Sequence, residues 1–179
     1  MRRNPFKRSE HVPSDVLAAA RLEKGEKVLA GTVDRDGSWL LGTRDALVIV
    51  PAPGSVEAVR THIPWQQVER ADWSRDEQRL RLNEVGEFGK VRPEYVFEID
   101  DPGLLLELIR ERVSASVVLQ RRVPVSGKKG LSVIARRAPQ GDGEITWVYE
   151  FDQGIDPDDA AVMAAAGRGL QAAAEELGL

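Results

Sequence analysis

Residues 26–50 read EKVLAGTVDRDGSWLLGTRDALVIV, and their period decides the fold. Val28, Ala30 and Thr32 alternate with Leu29, Gly31 and Val33, which is strand spacing, not helix spacing. Asp34-Arg35-Asp36-Gly37 then predicts a tight turn, because the Asp-Gly pair tolerates the positive φ that hairpins need. Ser38–Thr43 and Ala46–Val50 are the next two strands, and Pro51-Ala52-Pro53-Gly54 breaks the run. Working outward, Val59, Thr61 and Ile63 share one strand face, with Arg60 and His62 on the other. Val68–Trp73 leads into a turn at Ser74-Arg75-Asp76. Leu80 and Leu82 alternate with Arg79, Arg81 and Asn83, residues 86–93 form a polar loop, and Tyr95, Phe97 and Ile99 alternate with Val96 and Glu98. The expectation is about seven short antiparallel strands.

The period then changes on both sides of this block. Upstream, Ser14 precedes DVLAAARLEK and Gly25 follows it, so a short helix is expected over about 15–24, with Ser14 as its cap. Residues 1–13, with Arg2, Arg3, Lys7 and Arg8, read as a flexible basic arm, either a solvated tail or an anchor for an anionic surface. Downstream, Asp101-Pro102 opens a helix with a cap and a proline. Leu105, Ile109, Val113 and Val117 continue it to about Val118 as one apolar stripe. Residues 121–179 read as a separate extension, a β-hairpin plus a helix. Its strands run from Leu131 to Ala138 and from Glu144 to Phe151, in the register that sets Leu131, Val133 and Ala135 against Phe151, Tyr149 and Trp147. Residues 121–125 are a possible extended lead-in. Asp156-Pro157-Asp158-Asp159 starts the last helix, whose buried side is alanine-rich.

With 179 residues and 30 % charged side chains, the composition is that of a globular domain with one sizeable core. The absence of cysteine excludes a thiolate nucleophile, a disulfide framework, an iron–sulfur cluster and Cys-ligated zinc. No run reaches the roughly 20 apolar residues of a membrane span, and MRRNPFKRSE has no apolar signal core, so a cytoplasmic location is expected.

Trp39, Thr43-Arg44, Leu47, Ile63-Pro64-Trp65, Val68 and Trp73 fall in the order found in bacterial pleckstrin-homology-like (PH-like) proteins, which the chain resembles over about residues 20–120. The extension is similar to one in some actinobacterial members. The resemblance implies a mainly β, overall α+β chain: a seven-stranded antiparallel PH-like barrel with a capping helix over 14–120, then the hairpin and helix of 121–179. It also implies an interaction module with no catalytic residue set and no cofactor, because a fold does not carry an activity. Lipid-binding members of the eukaryotic type hold phosphoinositides with a basic first hairpin loop. Here that loop carries Asp34 and Asp36, so specific phosphoinositide binding is not expected.

Material for chemistry is sparse. His11 lies in the arm and His62 on an outward strand face, so no general base and no zinc site is expected. Gly127-Lys128-Lys129-Gly130 lacks the length and the Ser or Thr of a phosphate loop. Asp152, Asp156, Asp158 and Asp159 lack the EF-hand order and read as turn and helix caps, so no metal is expected. The unusual feature is residues 110–137, with eight basic side chains against Glu111 alone, net +7. Within it Arg121, Arg122, Lys128, Lys129, Arg136 and Arg137 form a candidate patch for an anion or a partner. Pairing about the Lys128-Lys129 tip would set Arg121 near Arg136, a repulsive arrangement that calls for compensation. The compensating charge is either the chain's own segment from Glu150 onward, net −6, or an external anion.

The expected function is a non-enzymatic module that binds a protein partner through a strand edge or the helix-side groove. One alternative is a peripheral binder of anionic lipid or nucleic acid through Arg121–Arg137, although a net charge of −4 argues against a general nucleic-acid binder. The other is a small enzyme with a cleft between barrel and extension.

Overall fold

The computed structural model describes residues 12–55, 59–86, 92–141 and 143–179. Most of the expected basic arm, with His11, lies outside them. The described residues form ten strands and three α-helices, and the chain divides into two compact units, Met1–Ser114 and Ala115–Leu179.

In the first unit, β1 (Val28–Val33), β2 (Trp39–Thr43), β3 (Ala46–Val50) and β4 (Thr61–Pro64) form an antiparallel sheet in that order. β5 (Val68–Ser74), β6 (Arg79–Glu84) and β7 (Glu94–Glu98) form a second. The alternation reads through to the interior: Ala30, Leu40, Leu47, Ile63, Leu80, Leu82 and Phe97 meet in one core. Helix α2 (Gly103–Ser116) adds Leu105, Leu106 and Ile109 to it. Tyr95 packs against this core while Val96 and Glu98 are exposed, as the alternation requires. Trp65 is 0 % exposed and its indole N–H donates to the Thr43 carbonyl at 3.1 Å. The expected closed barrel is not formed. Among the described residues no ladder joins the two sheets, so they face each other across the core as separate layers. Alternation selects which side chains turn inward, but closure needs further pairing between sheets, with its own stagger.

The first hairpin closes as expected. Gly37 takes φ 87°, its N–H donates to Asp34 O at 2.9 Å, and Asp34 N–H donates to Ser38 O at 2.8 Å. Helix α1 (Ser14–Ala20) is shorter than expected and is not capped by Ser14. Pro13 stands at the cap position without a side-chain bond, and Arg21 ends the helix at φ 44°. α1 packs on the outer face of the first sheet, where Ala20, Leu41, Val48 and Val50 form a second cluster with Val16 and Trp39. Arg60 donates to the carbonyls of Ala20 and Arg21, satisfying the open end of the helix.

The second unit corrects the expected hairpin. It is a three-stranded sheet in the order β10-β9-β8, from β8 (Val117–Ser126), β9 (Lys129–Arg136) and β10 (Thr146–Phe151). The β-branched run Val117-Val118 leaves the helix for the sheet instead of extending it, as such side chains prefer. β9 and β10 pair as expected, Leu131 with Phe151, Val133 with Tyr149 and Ala135 with Trp147. Helix α3 (Ala160–Glu176) covers that apolar face with Val162, Ala166 and Ala173. The helix starts three residues later than the expected Pro157, so Asp159 and not Asp156 caps it, accepting from the amides of Ala161 and Val162 at 2.8 and 3.2 Å. Among the described residues, no helix is long and apolar enough to cross a membrane.

Candidate functional site

The basic cluster lies in the second unit, where strand geometry divides it. Successive residues of a strand point to opposite faces. Arg121 therefore shares the α3 side of β8 with Leu119 and Val123, while Arg122 points to the other face. Arg121 Nη1 lies 3.1 Å from Glu176 Oε2 at the end of α3. Arg122 grips Asp152 in a two-pronged contact, Nη1 to Oδ1 at 2.9 Å and Nη2 to Oδ2. Asp152 Oδ2 also accepts from Gly130 N–H at 2.9 Å, and Asp152 N–H donates to Gly130 O at 3.0 Å. One carboxylate thus ties β8, the start of β9 and the end of β10. The Arg122 guanidinium and then the Gly130 amide hold that carboxyl down at about 2.

The remaining four candidates separate further. Lys129 Nζ donates to Gln153 O at 3.0 Å. Arg136 is 3 % exposed, with Nη1 3.3 Å from Ser116 Oγ. Arg137 is half-buried and its amide donates to Ser116 O at 2.8 Å. Lys128 is exposed at the turn. The expected approach of Arg121 to Arg136 does not occur: Arg121 pairs with Val133, and Arg136 with Val117. β8 runs on to Ser126 and pairs it with Lys129, so the turn is tighter than expected and the register moves. The six residues do not make one continuous basic face.

The acidic residues near α3 act locally, as caps and anchors. Besides Asp152 and Asp159, Asp156 Oδ1 accepts from Asp158 N–H at 3.0 Å. Among the described residues, no group of three or more His, Asp or Glu side chains could hold a metal ion.

In the first hairpin loop the cation is engaged by the chain's own acids. Arg35 Nε and Nη2 both reach Asp100 Oδ1, at 3.0 and 2.6 Å, and Nη1 lies 3.5 Å from Glu98 Oε2. The one cation of the loop is already neutralised.

His62 lies on the outward face of β4 as expected, but that face is partly covered. Its face of β4 is the one that α1 covers, so its side chain is only 26 % exposed, and Nε2 stands 3.8 Å from Glu26 Oε1. Glu26, with a side chain 4 % exposed, accepts from Thr43 Oγ1 at 2.5 Å and from Glu23 N–H at 3.0 Å. The signal available in sequence was the pair Arg60 and His62 beside a helix that needed somewhere to pack. The cluster joins the α1–β1 turn to β2 and β4, and the carboxylate's bonds are spent on that. No family model, curated protein or solved structure matches the chain.

Proposed function

We propose that the chain is a non-enzymatic, PH-like interaction module that binds a protein partner in the cytoplasm. Seven strands in sheets of four and three, followed by α2, support the PH-like reading, as does the lodging of Ile63, Trp65 and Val68 in the core. One observation carries the functional reading. Arg121 and Arg122 are paired with Glu176 and Asp152, and Arg136 is buried. The cluster that would have recognised nucleic acid or anionic lipid is largely neutralised from within, whereas such binding rests on free cations facing phosphates. Backbone edges of the sheets remain as recognition elements, and an extended segment of another protein can add to such an edge.

The test is cosedimentation with phosphatidylserine and phosphoinositide vesicles, and retention of duplex DNA, each at low and high salt. Little retention at either salt, with saturable cross-linking to a protein partner, is expected. Strong retention at low salt that is lost on adding salt would overturn the reading. Lys128→Glu is the control substitution, since Lys128 is exposed whereas reversing buried Arg136 would perturb the fold.

A further inference from the structure

Helix α1 is a thin cover over a strongly apolar surface. The outer face of the first sheet carries Leu41, Val48 and Val50, exposed by 0, 0 and 4 %, with Trp39 beside them. α1 lies on that face, flanked by Val12 and Leu22. Five of its seven residues, Ser14, Asp15, Leu17, Ala18 and Ala19, are exposed, and only Ala20 is buried. A helix of this length is far below the roughly 12–15 residues at which an isolated helix becomes marginal in water. No side-chain bond caps its first turn. Arg21 ends it in left-handed backbone, φ 44° and ψ 52°, a conformation disfavoured for any residue with a Cβ.

One set of contacts opposes these weaknesses. Arg60 stands just ahead of β4, and its Nε and Nη2 donate to the carbonyls of Ala20 and Arg21 at 2.5 and 3.2 Å. The bonds are charge-assisted and fall on carbonyls that the helix end leaves open. Arg60 belongs to the sheet side of the contact, 40 residues along the chain from Ala20. It stays with β4 when α1 leaves.

We infer that residues 12–22 form a strap that opens as a unit while the rest of the first unit stays folded, and that Arg60 is its latch. Opening bares Leu41, Val48 and Val50, and closing withholds them. A segment with few buried apolar side chains and much exposed backbone opens at a free energy below that of global unfolding. Leu47 and Ile49, on the other face of β3, belong to the core between the two sheets and are reached only when that core comes apart. The two faces of one strand therefore open at different free energies. The left-handed Arg21 favours the open strap and the Arg60 bonds favour the closed one, so the two residues bias the same equilibrium in opposite directions.

The chain has no cysteine, so a single introduced thiol reports on its own site. Val48→Cys places one under the strap, and Leu47→Cys places one in the core on the opposite face. Each variant is checked for folding by circular dichroism, and its reaction with a small aromatic disulfide is followed in increasing urea. The Val48→Cys chain is expected to react faster and with little dependence on urea, the Leu47→Cys chain slowly and with a steep dependence. In the Val48→Cys chain, Arg60→Ala should speed the reaction about tenfold. Arg21→Gly should slow it about fivefold. Leu82→Val, a core change on β6, should speed the Leu47→Cys reaction about fivefold and leave the Val48→Cys reaction unchanged. Equal rates with equal urea dependence, or a Val48→Cys reaction that follows Leu82→Val, would mean that α1 departs only with the whole unit and would overturn the strap. A Val48→Cys rate indifferent to Arg60→Ala would overturn the latch. Should a thiol variant fail to fold, amide exchange of Leu17, whose N–H donates to Pro13 O at 3.0 Å, takes its place. Arg60→Ala should speed that exchange about tenfold and Leu82→Val should leave it unchanged, and any other pattern overturns the inference.

Discussion

Gly169 of α3 lies directly against Val123 of β8: a Cβ on Gly169 would stand 2.5 Å from Val123 Cγ2 and 3.1 Å from Val133 Cγ2. The helix rests on the sheet as closely as a backbone allows. Gly169→Ala would gain about 1 kcal/mol of helix propensity. It would also push a methyl into a β-branched side chain that cannot rotate away, at a cost of about 1–3 kcal/mol. A net loss of stability is expected in urea denaturation, and Val123→Ala in the same chain should relieve the clash. If Gly169→Ala alone stabilises the protein, the close approach of α3 to β8 is wrong.

Asp152 sets the acid limb of the second unit. Its carboxyl is held at about 2 in the fold against an ordinary 3.8, by Arg122 and the Gly130 amide, so folding favours the ionised form. The contribution is complete above about pH 4 and disappears as the pH falls through about 2. Stability of wild type should therefore decline over that interval more steeply than stability of Asp152→Asn. The contact is partly solvated, so the difference in slope is the decisive quantity. Amide exchange at Gly130 should also speed up in the variant, because the neutral side chain is a poorer acceptor.

What was legible in sequence followed from periodicity. Trp147, Tyr149 and Phe151 announced their face and their partners on β9, and the register agrees. The start of α3 was legible only to within a few residues, because the proline after Asp156 marks a cap in sequence whereas the helix begins at Ala160 and is capped by Asp159. The patch was not. Arg121 and Arg122 are neighbours in the chain, but a strand sends them to opposite faces, where Glu176 and Asp152 claim one each. Those acids lie 55 and 30 residues away, and only the fold brings them near. His62 was misjudged for the same reason: whether an outward strand face meets water depends on where α1 comes to rest. The end of α2 was blurred because Val117 satisfies both the helical stripe and the strand that replaces it.

Tyr95 should dominate the alkaline limb. Burial and then the bond from its hydroxyl to Glu84 Oε1, at 2.6 Å, raise the phenol from 10.0 to about 12. The unfolded chain therefore loses this proton first, and stability falls as the pH rises from about 10 toward about 12. Tyr95→Phe has no proton to lose at that position and should show a flatter profile in the interval. Phenolate absorbance should record a tyrosine that ionises only near 12 or on unfolding. A Tyr95 that titrates freely near 10 would place it in solvent, contrary to the interior assigned to β7.

Trp65 and Trp73 offer a direct measure of where the first unit's core is densest. Trp65 is fully buried and its N–H is committed to the Thr43 carbonyl, whereas Trp73 is only partly buried at the border of the same core. Trp65→Phe removes ring volume and leaves a buried carbonyl without its donor, which together cost about 2–4 kcal/mol. Trp73→Phe removes comparable volume next to solvent, where collapse or hydration softens the loss to about 1 kcal/mol. Equilibrium denaturation of both variants decides the matter. Equal losses, or a larger loss at Trp73, would mean that the two sheets do not converge on Trp65, and the interior would have to be reassigned.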